Sequence, residues 1–156
     1  MRLIADTNVD PDDYAIGRDL AYAQALPTLI DDLLFKNNLA FDRGYWSSYV
    51  YGQSWRNKYS KDFWKSHIFR VEEVLGDSLK DIHIVFITLT EENFNRIENM
   101  GRNKDKWEIT NDFRKQYDLY LEVLDITTLP PHNVHLLPAF QSDETINKFF
   151  NNILQR

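Results

Sequence analysis

The sequence predicts an α/β fold, a parallel sheet covered by helices, and three observations carry that prediction. Residues 82–89, IHIVFITL, form a nearly continuous β-branched and apolar run, the pattern of a parallel strand covered on both faces. Residues 39–41 and 134–137 are shorter apolar runs of the same kind. Amphipathic segments of helical period separate them, giving helix, strand, helix, helix, strand, helix, helix, strand, helix. No repeat, low-complexity tract or flexible linker breaks the 156 residues, so residues 1–156 are read as one domain.

Composition narrows the function classes. Hydrophobic residues make up 43% and aromatics 14%, which suits a packed core rather than a disordered chain. The net charge of −6 argues against nucleic acid as a partner. There is no cysteine, so disulfides and thiolate metal sites are excluded. No apolar run approaches the roughly 20 residues of a membrane helix, and no signal-peptide pattern opens the sequence. The expected location is cytoplasmic, with no membrane partner.

Taken in order, residues 3–5 suit a very short strand, and 6–13 an acidic loop. Asp6, Asn8, Asp10 and Asp12 alternate as calcium ligands do. Pro11, however, stands where that loop needs glycine, and Gly17 where it needs glutamate, so Asp12 and Asp13 are read instead as caps of a following helix. From Tyr14, the residues Ile16, Leu20, Ala23, Pro27, Ile30 and Leu34 keep helical spacing, with Pro27 expected to kink or divide the helix. Helices are predicted over 45–56 and 63–75, the second ending at Gly76. In the second, Phe63, Trp64 and Phe69 are read as packing residues, and His67 as structural or solvated. Thr90 opens a helix to about Met100, and a basic excursion follows over 102–106. Helix resumes near Glu108 with Phe113, Tyr117, Tyr120, Leu121 and Leu124 along one stripe. After Pro138, Ser142 caps a last helix whose apolar face is Ile146, Phe149, Phe150, Ile153 and Leu154.

The chemistry concentrates at 39–53. An apolar run there ends in Asp42 and Arg43, then passes into a serine- and aromatic-rich helix. In open α/β sheets ligands sit at the carboxyl ends of strands. A carboxylate there can hold a metal-bound water, and an arginine fork can grip a phosphate with two parallel hydrogen bonds. A strand-end ion pair that merely fixes the turn is the structural alternative.

Asp42-Arg43, Ser47-Ser48, Tyr51 and Gln53 together resemble the Asp-Arg-Tyr, Ser-Ser, Ala-Tyr-Gln segment of thymidylate kinases and related deoxynucleoside monophosphate kinases. Residues 96–108, with Arg96 and Arg102 ahead of Asp105-Lys106-Trp107-Glu108, resemble the lid of that family. The resemblance implies a P-loop-kinase-like sheet and transfer of the γ-phosphoryl group of ATP, with Mg2+, to a nucleoside monophosphate. It implies that Arg43 holds the acceptor phosphate and Asp42 places phosphate or magnesium. Ser47, Ser48, Tyr51 and Gln53 line the acceptor pocket, and Arg96 and Arg102 close over the donor phosphates from a lid at about 96–107. Phosphoryl transfer is mostly positioning and charge neutralisation, which such residues supply.

The sequence departs from that family at its beginning. None of its five glycines, at 17, 44, 52, 76 and 101, forms the Gly-x-x-x-x-Gly-Lys phosphate loop, so the ATP site and the N-terminal strand are incomplete or modified. A completing polypeptide, a homodimer, or residues 2–5 in the central slot would resolve this. The family's base-side arginine is also absent, with Arg18 nearby. Two rival readings follow: a non-catalytic nucleotide-binding relic or partner subunit, and a PIN-like metal-dependent ribonuclease, since 3–8 resemble the opening strand and first metal ligand of those enzymes.

Overall fold

The computed structural model describes residues 9–33, 44–98 and 113–154. They form helix α1 (Pro11–Leu33), helix α2 (Trp46–Tyr51), which runs on as a π turn (Gly52–Arg56), helix α3 (Lys61–Leu75), strand β1 (Ile84–Thr88), helix α4 (Glu91–Glu98), helix α5 (Phe113–Ile126), strand β2 (Val134–Pro138) and helix α6 (Asp143–Leu154). The molecule is mostly helical with a small parallel sheet, α/β in the coarse sense. What the sequence predicts for 3–8, 34–43 and 99–112, including the strand at 39–41 and most of the lid, lies outside the described residues.

Strands β1 and β2 pair in parallel, from Ile84 opposite Val134 to Thr88 opposite Pro138, as the apolar runs predicted. Their burial differs from the expectation. Phe86 and Leu137 are buried, but Ile87 and Leu136 are 46% and 56% exposed, so among the described residues the pair is not covered on both faces.

The best-buried part of the molecule is helical and centred on α2. Trp46, Ser47, Ser48, Tyr49 and Val50 are all buried, which a short helix achieves only when neighbours enclose it. Helix α3 faces it with Trp64, His67, Ile68, Val71, Glu72 and Leu75, one stripe of helical period. Val123 of α5 and Leu129 complete this core. Ser60 caps α3 by accepting from the Phe63 amide, and Gly76, at φ +51°, ends it.

Helix α1 corrects the sequence reading in two ways. It starts at Pro11, the first-turn position where proline's missing N–H costs nothing, and Asp10 is the cap, accepting from the Asp12 and Asp13 amides. It also continues through Pro27 to Leu33 undivided. Its buried stripe is Asp12, Ala15, Asp19 and Ala23, while Ile16 and Leu20 are only partly buried. Two carboxylates therefore face inward, separated by alanines that admit close neighbours. In α5 the buried positions are Gln116 and Val123, and Phe113 and Leu121 are exposed, so the inward face is rotated from the predicted stripe. Ser142 does cap α6, accepting from the Thr145 amide. Of the predicted packing aromatics Trp64 is fully buried, Phe63 stacks on Tyr59, and Phe69 is exposed.

Candidate functional site

The inward carboxylates of α1 meet two basic groups beside a cavity. Arg56, delivered by the π turn, places Nε 2.8 Å from Asp12 Oδ1 and donates from its two terminal nitrogens to the carbonyls of Pro11 and Ser48. The π turn is defined by the Asn57 amide donating to the Gly52 carbonyl, with Asn57 at φ +53°. Gly52 is required there, because a Cβ would stand 2.3 Å from Cε2 of Trp64. Burial raises the Asp12 carboxyl above its ordinary pKa, and the Arg56 charge only partly offsets this. Desolvation likewise lowers Arg56, with Asp12 opposing.

Two turns along α1, Asp19 is buried between Arg18 and His67. Arg18 donates to Asp19 Oδ1 through Nε (3.1 Å) and Nη2 (2.8 Å), and Nη2 also reaches Ser48 Oγ at 3.0 Å. On the other side Asp19 Oδ2 is 3.2 Å from His67 Nε2, whose ring meets Trp64 edge-on. His67, read as structural or solvated, is thus structural and paired. The chain His67, Asp19, Arg18, Ser48 links α3, α1 and α2, and of its members only Arg18 is partly exposed.

It ends at a cavity of about 280 Å³ between α1 and α2, lined by Tyr14, Ala15, Arg18, Ser47, Ser48, Tyr51 and Arg56, with Pro11 at the rim. Arg18 also borders a wider depression of about 520 Å³ on the outer face of α1, with Tyr14 and Tyr22. Ser47 shares a 2.8 Å hydrogen bond with the Tyr120 hydroxyl of α5, which fixes its rotamer. Convergent polar groups at a concave surface are a common mark of a binding site.

The residues predicted from the sequence divide three ways. Ser47, Ser48 and Tyr51 line this one cavity. Gln53 does not, since its side-chain amide donates to the Tyr59 carbonyl at 3.3 Å. Arg96, on α4, is exposed and lies over the Phe140 ring at 4.1 Å, away from the cavity lining. Asp42, Arg43 and Arg102 lie outside the described residues. Reading the sequence missed Arg56, Asp12, Asp19 and His67, whose pairings join residues more than 40 positions apart. Among the described residues no group of three or more His, Asp or Glu is placed to hold a metal ion, and no helix is long and apolar enough to cross a membrane.

A carboxylate cluster of a different kind lies on the far end of α3. Glu72 is buried and accepts at Oε1 from the Tyr45 and Thr127 hydroxyls, and at Oε2 from the Thr128 amide (2.8 Å) and hydroxyl (2.7 Å). Burial, and then the Glu72 charge, push the Tyr45 phenol well above its usual range. With every lone-pair direction occupied, this cluster is a clasp between α3, the start of α2 and the end of α5. Comparison with family models, curated proteins and solved structures gives no significant match.

Proposed function

We propose that this chain binds a nucleoside monophosphate in the cavity between α1 and α2, as a protein related to the thymidylate-type kinases. The observation that carries the reading is that Ser47, Ser48 and Tyr51, singled out by their order in the sequence, line one cavity together with Arg18 and Arg56. Two guanidinium groups and two hydroxyls suit the oxygens of a phosphate, and Tyr14 and Tyr51 offer rings to a base or sugar. Among the described residues Asp19 and Ser48 engage Nε and Nη2 of Arg18, leaving its Nη1 donors for a ligand.

Catalysis is the further step of the reading. Transfer from ATP with Mg2+ would draw on Asp42, Arg43, Arg96 and Arg102, and on a phosphate loop that this sequence lacks. The acceptor side stands without it, as a nucleotide-binding subunit or as half of a kinase completed by another polypeptide.

Thermal-shift titration tests the pocket, because a ligand that binds only the folded state raises the melting point. Millimolar deoxynucleoside monophosphate should raise it by a few degrees, and the matching nucleoside should not. Arg18→Gln should lose most of that shift, measured against its own ligand-free melting point, while Arg96→Ala keeps it. An equal shift in Arg18→Gln, or none in the parent, would overturn the assignment.

A further inference from the structure

Outside that cavity, the clearest cluster of chemically capable side chains lies on the small sheet. The register pairs Val85 with His135, and His83 is the second residue before Val85, so the two histidines lie diagonally on one face. Their Nδ1 (His83) and Nε2 (His135) atoms are 2.9 Å apart. The ring centroids are 5.2 Å apart and the planes differ by 21°. The centroid separation exceeds the N···N distance by about two ring radii, so the rings meet edge to edge, nitrogen against nitrogen, and not face to face. One nitrogen carries the shared proton and the other presents its lone pair. His135 is held against the edge of Phe149 on α6, at 6.2 Å between centroids, while His83 is exposed to solvent.

We propose that His83 and His135 form a two-imidazole site for a d-block cation such as Cu2+, independent of the monophosphate reading. Imidazole nitrogen is the preferred neutral ligand of Cu, Zn and Ni, and among these Cu2+ binds most tightly to a given nitrogen site. Metal–nitrogen bonds of about 2.0–2.1 Å at the right angle of a tetragonal Cu2+ site put the two nitrogens roughly 2.9 Å apart, close to their separation here. The rings need only tilt until their lone pairs converge. No proton must leave: one ring moves its N–H from the facing nitrogen to the outer one, so that His83 keeps its proton on Nε2 and His135 on Nδ1. Water reaches the exposed His83 side and completes the coordination. The ion would tie β1 to β2 where only five residue pairs join them.

The test is titration of the tag-free full chain with Cu2+ at neutral pH in a non-chelating buffer, followed by calorimetry and electron paramagnetic resonance. One Cu2+ per chain with two equatorial nitrogens is expected. His83→Gln and His135→Gln should each weaken binding by at least about tenfold, because the remaining imidazole loses its chelating partner. His132→Gln, in the turn before β2, should leave the affinity unchanged. Absence of stoichiometric binding, binding that survives both substitutions, or equal weakening by His132→Gln would overturn the site. If His135→Gln fails to fold, the exposed His83→Gln decides alone.

Discussion

Around α2 the chain closes on itself, whereas around β1 and β2 it stays open. Helices α1, α3 and α5 pack around α2, and the charged groups trapped there are paired: Asp12 with Arg56, Asp19 with Arg18 and His67, Glu72 with four donors. On the sheet side Ile87, Leu136, Phe140, Phe150 and Leu154 are all substantially exposed, and the electrostatic contacts are surface ones, such as Arg114 with Glu91 and Arg96 over Phe140. The difference teaches where geometry is enforced. A buried charge must be given a fixed partner or it costs several kcal/mol, so the helical region holds its side chains in one arrangement. A surface pair is worth about 0–1 kcal/mol and enforces little. The proposed phosphate cavity lies against the first region, and the histidine pair lies in the second.

The largest test of that contrast is Glu72→Gln. Two carboxylate oxygens accept four hydrogen bonds. A glutamine offers one oxygen, so its NH2 must face either the Thr128 N–H or two hydroxyls that have to reorient to accept. The loss should be about 3 kcal/mol, seen as a lower urea midpoint with unchanged slope. A loss below about 1 kcal/mol would mean that the clasp is replaceable and the helical region less determined than its hydrogen bonds imply.

Next is Gly52→Ala. Its Cβ would meet the buried Trp64 indole at 2.3 Å, and overpacking of this size costs about 2 kcal/mol. The same substitution at Gly17, where nothing lies within 4 Å, should be neutral or stabilise by about 0.5 kcal/mol through helix propensity. In thermal melts, therefore, only Gly52→Ala should lower the midpoint. If Gly52→Ala also shrinks the monophosphate-induced shift, the π turn is what aims Arg56.

That turn also explains what the sequence did and did not make legible. The two strands β1 and β2, the cap at Ser142, and the serine and tyrosine wall of the cavity were readable because each rests on residues close in sequence. Gln53 was misplaced because a π turn adds a residue to one helical turn, shifting every face beyond Gly52; it sends Gln53 toward Tyr59 and Arg56 toward Asp12. The inward side of α1 was misread because apolar period was counted through Ile16 and Leu20, whereas the buried stripe carries Asp12 and Asp19. A carboxylate on an inward face has no local signature when its partner stands 40 or more residues away.

The acids of α1 give a test by pH, with opposite signs. Asp13 is held below its ordinary pKa by the Tyr59 hydroxyl and then by Lys58. Its contribution is present above the unfolded value, 3.8, and is lost as pH falls through its folded pKa. Asp12 is raised by burial, so the folded state binds its proton more tightly, and its contribution falls as pH rises through its folded pKa. In urea midpoints from pH 3 to 7, Asp13→Asn should cost stability only at the upper end. Asp12→Asn should remove a component that declines with rising pH. The same slope in the parent and in Asp12→Asn would place that carboxylate in a wetter setting than its burial implies.

The smallest effect is expected on the sheet. Ile87 is 46% exposed in the middle of β1, and threonine keeps its β-branched shape and strand preference. Ile87→Thr should therefore change stability by no more than about 0.5 kcal/mol, against several times that for Val123→Thr, which places a hydroxyl in a fully buried site on α5. Ile87→Thr removes one methylene more than Val123→Thr, so a smaller cost at Ile87 can come only from its exposure. If Ile87→Thr instead costs more than about 1.5 kcal/mol, that face of β1 is covered in solution, and the contrast between a closed helical region and an open sheet fails at its open end.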